Sequence, residues 1–248
     1  MELYKNIFIK RNLYTCTVLN KEALKSSKSR SASSHRWLTR QLKDPYVEKA
    51  RQENYRCRSA FKLLEINKRF NILTPGLVVV DCGAAPGSWT QVALKLTNAI
   101  GKDEDKAVGR VFAIDRLPIH PIDGATILGN ADFTLPNTQS TLKQLLNGQP
   151  VDVVLSDMAP NATGVRQLDH DKIMYLAYSA MKFAVEMSKV GGTFVTKVWD
   201  GQQTSEFEKD VEKFYKSIKI IRPPATRDES AEMFILAQGF KGLKQLKT

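Results

Sequence analysis

A glycine-rich turn that follows an apolar segment is the first feature of this sequence with chemical potential. The sequence VVVDCGAAPGSWTQVA leads from a predicted strand at residues 77–83 into a predicted helix at residues 86–98. Such a turn lets the backbone approach a ligand closely and points a helix N-terminus at it. It is not the GxGxxG turn that binds a dinucleotide pyrophosphate, and Pro86 removes one N–H donor. The turn favours an organic ligand without a pyrophosphate and argues against a nicotinamide dehydrogenase. A turn with a purely structural role is the alternative.

Two aspartates stand where successive predicted strands end. Asp115 closes the second predicted strand and Asp132 follows the third. In doubly wound folds, an acid at the end of the second strand accepts hydrogen bonds from the ribose hydroxyls of a nucleoside. Asp115 lies 32 residues beyond Gly83, farther than the usual spacing of about 20, and a polar, charged insertion at residues 101–109 accounts for the surplus. The two acids predict a ligand that contains a nucleoside, in which Asp115 contacts the ribose and Asp132 contacts the edge of the adenine.

Strands and helices alternate along most of the chain, which predicts an α/β fold with a mostly parallel sheet covered by helices on both faces. The last two predicted strands have no helix between them, so the sheet gains an antiparallel member. The predicted strands span residues 77–83, 110–115, 125–128, 151–158, 192–199, 218–221 and 233–237. The predicted helices span residues 45–70, 86–98, 140–147, 168–189 and 205–217.

Positive charge is concentrated at the start of the chain. Of the net charge of +11, residues 1–40 contribute nine Lys or Arg against two acids, whereas residues 41–248 contribute 28 against 24. The segment 1–35 is rich in Lys, Arg and Ser and lacks a continuous apolar core, as in an organelle transit peptide, mitochondrial by preference. A basic arm that touches RNA is the alternative, with the cytoplasm or nucleus as compartment. Residues 36–248 then form a single domain that includes an N-terminal basic helix.

The sequence has no pattern for metal binding or membrane insertion. Its three cysteines, Cys16, Cys57 and Cys82, have neither CxxC spacing nor a nearby pair of histidines. We therefore expect no metal site and no disulfide framework, and this usage indicates a reducing compartment. The longest apolar runs are far too short to cross a bilayer.

Four motifs, in their order along the chain, resemble the FtsJ family of ribosomal RNA 2′-O-methyltransferases. They are RSAFKLLEI, DCGAAPGSW, SDMAPNATG and GGTFVTKVW, and the resemblance covers residues 37–240. It implies a Rossmann-like S-adenosylmethionine methyltransferase fold, with a mostly parallel seven-stranded sheet and an antiparallel last strand. The resemblance is greatest to mitochondrial members, which implies a uridine ribose in large-subunit ribosomal RNA as the target.

The resemblance also implies a catalytic tetrad of two lysines and two acids. The lysines fall on Lys62 in RSAFKLLEI and Lys197 in TFVTKVW, and the acids on Asp157 in SDMAP and Glu232 in AEMFILA. Glu229 is the competing choice, and Glu232 is preferred because it opens the last strand. A ribose 2′-hydroxyl is a poor nucleophile that needs help with its proton and strict alignment. Two lysines and two carboxylates at strand ends could hold it while neutralising one another, and a structural ion-pair cluster is the alternative.

The cofactor implied by the resemblance is S-adenosylmethionine. The residues expected to contact it are Gly83, Pro86, Gly87, Ser88, Trp89, Asp115, Asp132 and Asp157. Ser88 departs from the family, which often has a second glycine there, but a small side chain is compatible with the turn.

RNA is the expected partner of a monomeric enzyme, and the sequence contains no separate RNA-binding module. Basic residues near the predicted N-terminal helix and the last strands are the candidates for phosphate contacts: Arg40, Lys43, Arg51, Arg56, Arg58, Arg222 and Arg227. For each of them a solvated surface is the alternative, and Trp37 either stacks on a base or packs the helix. A transfer RNA anticodon loop is the alternative substrate. An RNA-binding assembly factor without turnover is the alternative function, which the intact tetrad disfavours.

Overall fold

The computed structural model describes Thr39, residues 41–161 and residues 163–243. The predicted leader at residues 1–35, together with Cys16, Trp37 and Arg40, lies outside the described residues. The strands are β1 (Val78–Cys82), β2 (Arg110–Ile114), β3 (Ala125–Leu128), β4 (Val151–Ser156), β5 (Ser188–Trp199), β6 (Tyr215–Ile221) and β7 (Glu232–Phe240). The helices are α1 (Pro45–Gln52), α2 (Ala60–Phe70), α3 (Ser88–Leu96), α4 (Pro136–Leu146), α5 (Arg166–Met187) and α6 (Gln202–Phe214).

The strands form one sheet with the order β3-β2-β1-β4-β5-β7-β6. The first five strands pair in parallel, and β7 is antiparallel to both of its neighbours. This arrangement confirms the predicted α/β class, the mostly parallel sheet and the antiparallel last strand of the chain, β7, which lies between β5 and β6. The chain order of the strands reverses between β1 and β4, and in open α/β sheets ligands bind at such a switch point, outside the carboxyl ends of the strands.

The two faces of the sheet bury separate cores. On one face, side chains from α4, α5 and α6 pack against alternate strand residues such as Val80, Cys82 and Phe194. On the other face, α2 and α3 pack against Val79, Val195 and similar positions. Because alternate residues of a strand point to opposite faces, the strands that lie between two helical layers are apolar on both sides. β1, whose residues are all buried, is the clearest case.

The carboxyl edge of the sheet gathers residues from distant parts of the chain. The parallel strands β1, β2 and β4 end there, and Asp115 and Asp157 directly follow two of them. Since β7 runs in the opposite direction, its first residue lies at this same edge, where Glu232 pairs with Trp199 at the end of β5. Lys197 and Glu232 also face the α2 side. Each lies two positions along its strand from a residue of that core, Val195 or Phe234, and residues two apart in a strand point to the same face.

The prediction of a helical segment through residues 45–70 is wrong in its middle. α1 ends at Gln52, and α2 begins at Ala60. Asn54 takes a left-handed conformation with φ of 59°, which a helix excludes. The intervening residues are bound by other parts of the fold, since the Arg56 N–H donates to Gln91 Oε1 at 2.8 Å. The local apolar pattern contains no signal for these long-range contacts.

Several further element boundaries also differ from the sequence prediction. The helix predicted to reach residue 217 ends at Phe214, and β6 begins at Tyr215. Tyr215 is buried, and its ring lies near those of Phe194 and Phe240. Because Tyr215 packs in the core as part of a strand, the helix ends earlier than the sequence pattern predicts. β5 begins at Ser188, four residues before its predicted start.

Candidate active site

A cavity of about 530 Å³ opens at the carboxyl ends of β1, β2 and β4. This volume is typical of a site for a small organic ligand. Its walls come from the turn after β1, the loops after β2, β3 and β4, and the start of α5. The lining residues include Gly83, Asp115, Arg116, Asp132, Asp157 and Asn161.

The turn after β1 is held against the loops that follow β2 and β4. Gly83 has φ of 79°, and a Cβ there would lie 2.6 Å from Met158 Cγ and 2.9 Å from Met158 backbone atoms. Only glycine therefore fits this approach. The Asp115 carboxylate accepts N–H bonds from Ala85 at 2.9 Å and Leu117 at 2.7 Å. Asp115 thus ties the turn to its own loop, and its remaining lone pairs are available to a ligand in the cavity.

Asp132 presents a second carboxylate in the cavity wall, in the loop after β3. Its Oδ1 accepts hydrogen bonds from the Thr134 hydroxyl at 2.7 Å and the Thr134 N–H at 2.9 Å. The side-chain bond from Thr134 is the main reason why the pKa of Asp132 is lowered, and the backbone bond adds to it. An ionised carboxylate is an acceptor, so the geometry suits a ligand that carries N–H or O–H donors.

Four of the residues expected to contact the cofactor are not among the residues that line this cavity. Trp89 is buried, and its indole N–H donates to the Ser59 carbonyl at 2.8 Å. The Pro86 carbonyl accepts from Arg56 at 2.7 Å, and a Cβ on Gly87 would lie 2.9 Å from Arg56 Nη1. The Ser88 hydroxyl lies 3.0 Å from the Cys57 thiol. In this structure these four residues join the turn to the segment between α1 and α2.

Lys197 is buried beside two carboxylates at the edge of this cavity. Its Nζ lies 2.7 Å from Asp157 Oδ1 and 3.5 Å from Glu232 Oε2, and it donates to the Asp157 carbonyl at 2.9 Å. Only 8% of the residue is exposed. Burial lowers the pKa of Lys197, but the charges of Asp157 and Glu232 outweigh burial, so the pKa is raised overall. Lys197 is therefore an ammonium at neutral pH.

Lys62 completes a chain of four charges across α2, β4, β5 and β7. Its Nζ lies 2.5 Å from Glu232 Oε1 and sits 5.8 Å from the centre of the Phe234 ring. Glu232 thus lies between the two lysines, with Oε1 near Lys62 and Oε2 near Lys197. Lys197 in turn contacts Asp157. Glu229, the competing acid, is exposed in the loop before β7. The geometry brings the four predicted residues together, with Glu232 as the acid between the lysines.

Residues 55–240 of the chain match the family described as FtsJ-like methyltransferase. This chain belongs to the FtsJ-like methyltransferase family. The mitochondrial rRNA methyltransferase 2 of Drosophila melanogaster is 53% identical over 222 residues, covering 90% of this chain and 89% of that protein. The ribosomal RNA large subunit methyltransferase E of Parvibaculum lavamentivorans is 46% identical over 224 residues, covering 90% and 87%. A Plasmodium falciparum chain described as a ribosomal RNA methyltransferase shares the fold, with a TM-score of 0.66 and 24% identity over 76% of this chain and 100% of that one.

A second, polar cavity of about 400 Å³ adjoins the tetrad of this FtsJ-like methyltransferase. Lys62 and Glu232 form its floor, and the remaining lining residues are Gln41, Arg58, Arg227, Glu229 and Ser230. Arg58 Nη1 and Arg227 Nη2 both contact Asp44 Oδ2, at 2.8 Å and 3.1 Å. This cavity is thus lined by the Lys62–Glu232 pair of the lysine–carboxylate cluster, whereas the first cavity is lined by Asp157.

The basic residues expected to bind RNA have different surroundings in the methyltransferase. Arg56 donates to the carbonyls of Pro86, His120 and Pro121 at 2.7–2.8 Å, so its guanidinium is used by the fold. Arg222 donates to two loop carbonyls. Lys43 and Arg51 are exposed, which keeps both available for an external partner.

Sequence reasoning missed several polar residues of the methyltransferase site. Asp81 is fully buried within β1, accepts from the Thr90 hydroxyl at 2.7 Å, and leaves Oδ1 without a hydrogen bond from the described residues. Burial is the main cause that raises its pKa to about 7, and the charges of Asp157 and Asp115 add to this. An acid inside an apolar strand was the available signal. Arg116, which lines the first cavity and donates to Asn161 Oδ1 at 2.7 Å, gave no such signal.

In the described ranges of the chain, no helix is long and apolar enough to cross a membrane. The same ranges contain no group of three or more His, Cys, Asp or Glu side chains that could hold a metal ion.

Proposed function

We propose that this enzyme transfers a methyl group from S-adenosylmethionine to the 2′-hydroxyl of a uridine ribose in large-subunit ribosomal RNA. The observation that carries the proposal is the position of Asp157. Asp157 lines the 530 Å³ cavity, and its carboxylate contacts Lys197 of the tetrad. A methyl donor in that cavity and an acceptor at the tetrad would therefore meet at one side chain.

The first cavity fits the methyl donor in size and in the chemistry of its walls. Asp115 suits the ribose hydroxyls and Asp132 suits an adenine amino group, because both carboxylates offer unused acceptor capacity. The absence of a phosphate-binding GxGxxG turn agrees with a nucleoside that carries an amino acid instead of a pyrophosphate. When bound, S-adenosylmethionine supplies an electrophilic methyl group on a sulfonium.

The tetrad can position the acceptor hydroxyl and receive its proton. Asp157 Oδ1 and Glu232 Oε1 are buried beside lysine ammonium groups at 2.7 Å and 2.5 Å, and one such contact uses only one of the two lone pairs of a carboxylate oxygen. Both oxygens therefore have lone pairs for a hydroxyl proton. The Lys197 ammonium cannot act as the base, and its weakest contact, 3.5 Å to Glu232, leaves an N–H able to hold the lone pair of the hydroxyl oxygen. Lys197 in this scheme orients the nucleophile, and a carboxylate accepts the proton.

The polar cavity beside Lys62 is the side from which the RNA would approach. It is lined by two guanidinium groups, and Lys62 and Glu232 connect it to Lys197. Positive charge near a hydroxyl-bearing nucleotide favours the adjoining phosphates. The names of the fly and bacterial relatives, both ribosomal RNA methyltransferases, support ribosomal RNA as the class of substrate.

Mitochondria are the proposed compartment. The basic, serine-rich composition of residues 1–35 supports a transit peptide, and the fly relative is named as mitochondrial. A fusion of residues 1–35 to a fluorescent reporter should accumulate in mitochondria, and nuclear or cytosolic residence of the full-length protein would contradict this.

The test of the activity is a map of 2′-O-methyl sites on ribosomal and transfer RNA from cells with and without this protein. One uridine of the large-subunit ribosomal RNA should lose its methyl group and regain it with the parental gene, but not with Lys197→Ala. Loss confined to a transfer RNA would replace the substrate. Unchanged methylation of all RNAs, together with no transfer by the purified enzyme, would overturn the proposal.

A further inference from the structure

A chain of hydroxyl and thiol groups leads to the oxygen of Asp157 that does not face Lys197. The Ser59 hydroxyl donates to Asp157 Oδ2 at 3.1 Å. Ser59 Oγ and Ser88 Oγ lie 3.2 Å apart, and the Cys57 thiol lies 3.0 Å from Ser88 Oγ. None of these groups belongs to the tetrad, and Ser88 stands where the family often has a glycine.

The donors in this chain have one consistent direction. An ionised carboxylate only accepts hydrogen bonds, so the Ser59 hydroxyl must donate its one O–H to Asp157. Ser59 can then only accept from Ser88, which leaves Ser88 to accept from the Cys57 thiol. Hydrogen bonds that run in one direction polarise one another, so the two further groups strengthen the bond that reaches Asp157.

The backbone of Ser59 is fixed independently of its side chain. Its carbonyl accepts the indole N–H of Trp89 at 2.8 Å, and the residue directly precedes α2, which carries Lys62. The hydroxyl therefore reaches Asp157 from a rigid site that is anchored to both α2 and α3. With Oδ2 held there, the carboxylate can direct only Oδ1 at Lys197.

We propose that Ser59, supported by Ser88, is a positioning residue that fixes the Asp157 carboxylate so that one oxygen faces Lys197. The proposal deepens the proposed methyl transfer and rests on it for its kinetic consequence. Its geometric consequence does not depend on turnover. Without the Ser59 hydroxyl, the Asp157 carboxylate is free to rotate away from its 2.7 Å contact with Lys197.

The test compares Ser59→Ala with Ser59→Thr, which restores a hydroxyl, and Ser88→Ala. Loss of a hydrogen bond to a charged group should lower kcat about tenfold in Ser59→Ala, with less effect in Ser88→Ala and most activity restored in Ser59→Thr. The KM for RNA and the Kd for S-adenosylmethionine should change less than kcat does, since Ser59 lines neither cavity and only the Asp157 carboxylate of the first cavity is displaced. Ser140→Ala is the matched control, because Ser140 is an exposed serine on α4 whose hydroxyl bonds only within its helix.

A crystal structure of Ser59→Ala supplies the second measurement, and it tests the positioning role even if the parent enzyme methylates no RNA. We expect the Asp157 carboxylate to rotate and its contact with Lys197 to lengthen. An Asp157 side chain that stays in place, or a Ser59→Ala enzyme with parental kcat, would overturn the proposal. So would a loss of cofactor affinity or of folding equal to the loss of kcat, since that would make Ser59 a packing residue.

Discussion

The two halves of this site hold their carboxylates in different ways. Around the first cavity, the proposed cofactor half, Asp115 and Asp132 each accept a hydrogen bond from an N–H group two residues ahead in their own loop, and Asp115 accepts another from Ala85. In the tetrad, Asp157 and Glu232 face lysines that lie at least 35 positions away in sequence. The carboxylates of the first half are held mainly within short loops, whereas the charge cluster of the second half forms only when the sheet and α2 are assembled.

This difference separates what each half can contribute to the reaction. Carboxylates held by local N–H groups stay in place and offer unused acceptor capacity, which suits ligand binding. Carboxylates held by ammonium groups form a buried charge cluster whose members can exchange partners with an incoming hydroxyl. We therefore expect substitutions in the first half to change affinity for the cofactor, and those in the second half to change the rate.

The largest effect should follow from Lys197→Ala. Misplacing the reacting groups by about 1 Å can cost roughly a hundredfold in rate, so we expect a loss of about that size or more. The cofactor affinity should change little because Lys197 does not line the first cavity. Single-turnover transfer from labelled S-adenosylmethionine measures the rate, and calorimetry measures the affinity.

Lys197→Arg sharpens the same comparison. Because the raised pKa makes Lys197 an ammonium, a guanidinium that keeps the charge should retain more activity than alanine, although its shape differs. An alanine variant that turns over at near parental rate would show that the tetrad assignment is wrong.

The next largest effect should be the loss of cofactor affinity in Asp115→Ala. The substitution removes an acceptor from the cavity and also the bond that holds Ala85. Loss of a hydrogen bond to a charged group costs about 1.5–3 kcal/mol, or roughly tenfold to a hundredfold in Kd. Asp105→Ala, in the exposed insertion, is the control. An unchanged Kd in the folded Asp115 variant would remove that residue from the cofactor site.

The same comparison explains how much of the site could be predicted from the sequence. The strand-end acids were readable because they follow apolar runs directly, and the parallel order of those strands places them at one edge. The partners of Lys197 followed only from the family resemblance, since no local pattern joins Lys62 to Glu232 across 170 positions. The role of Arg56 could not be predicted, because its three carbonyl acceptors belong to loops that only the fold brings together.

Arg56→Ala should have a moderate effect, and we expect it to weaken cofactor binding. Arg56 was predicted to contact RNA, but its guanidinium holds the Pro86 carbonyl against the loop at residues 120–121. We expect the Kd for S-adenosylmethionine to rise about threefold to tenfold, as for the loss of one or two exposed hydrogen bonds. Arg51→Ala is the matched control, because Arg51 is exposed on α1. If Arg56→Ala instead flattens the salt dependence of RNA binding and spares the cofactor, Arg56 is a phosphate contact.

The smallest effect concerns Asp81, which lies between the two halves and interacts with a carboxylate of each. Burial raises its pKa from 3.8 to about 7, so the folded protein binds a proton there more tightly than the unfolded chain does. Its contribution to stability is therefore complete below about pH 4 and is lost as the pH rises to about 7. Asp81→Asn keeps an oxygen that can accept from Thr90 and has no proton to lose.

The free energy of unfolding of Asp81→Asn, measured relative to the parent, should accordingly increase between about pH 5 and pH 7, by an amount on the order of 2 kcal/mol. Thermal or urea unfolding at several pH values measures this difference, and Asp105→Asn in the exposed insertion should show no such trend. A difference that is constant with pH would mean that Asp81 is ionised throughout, balanced by the surrounding dipoles. A variant that is more stable at neutral pH but slower in methyl transfer would show that the buried acid serves the site at the expense of the fold.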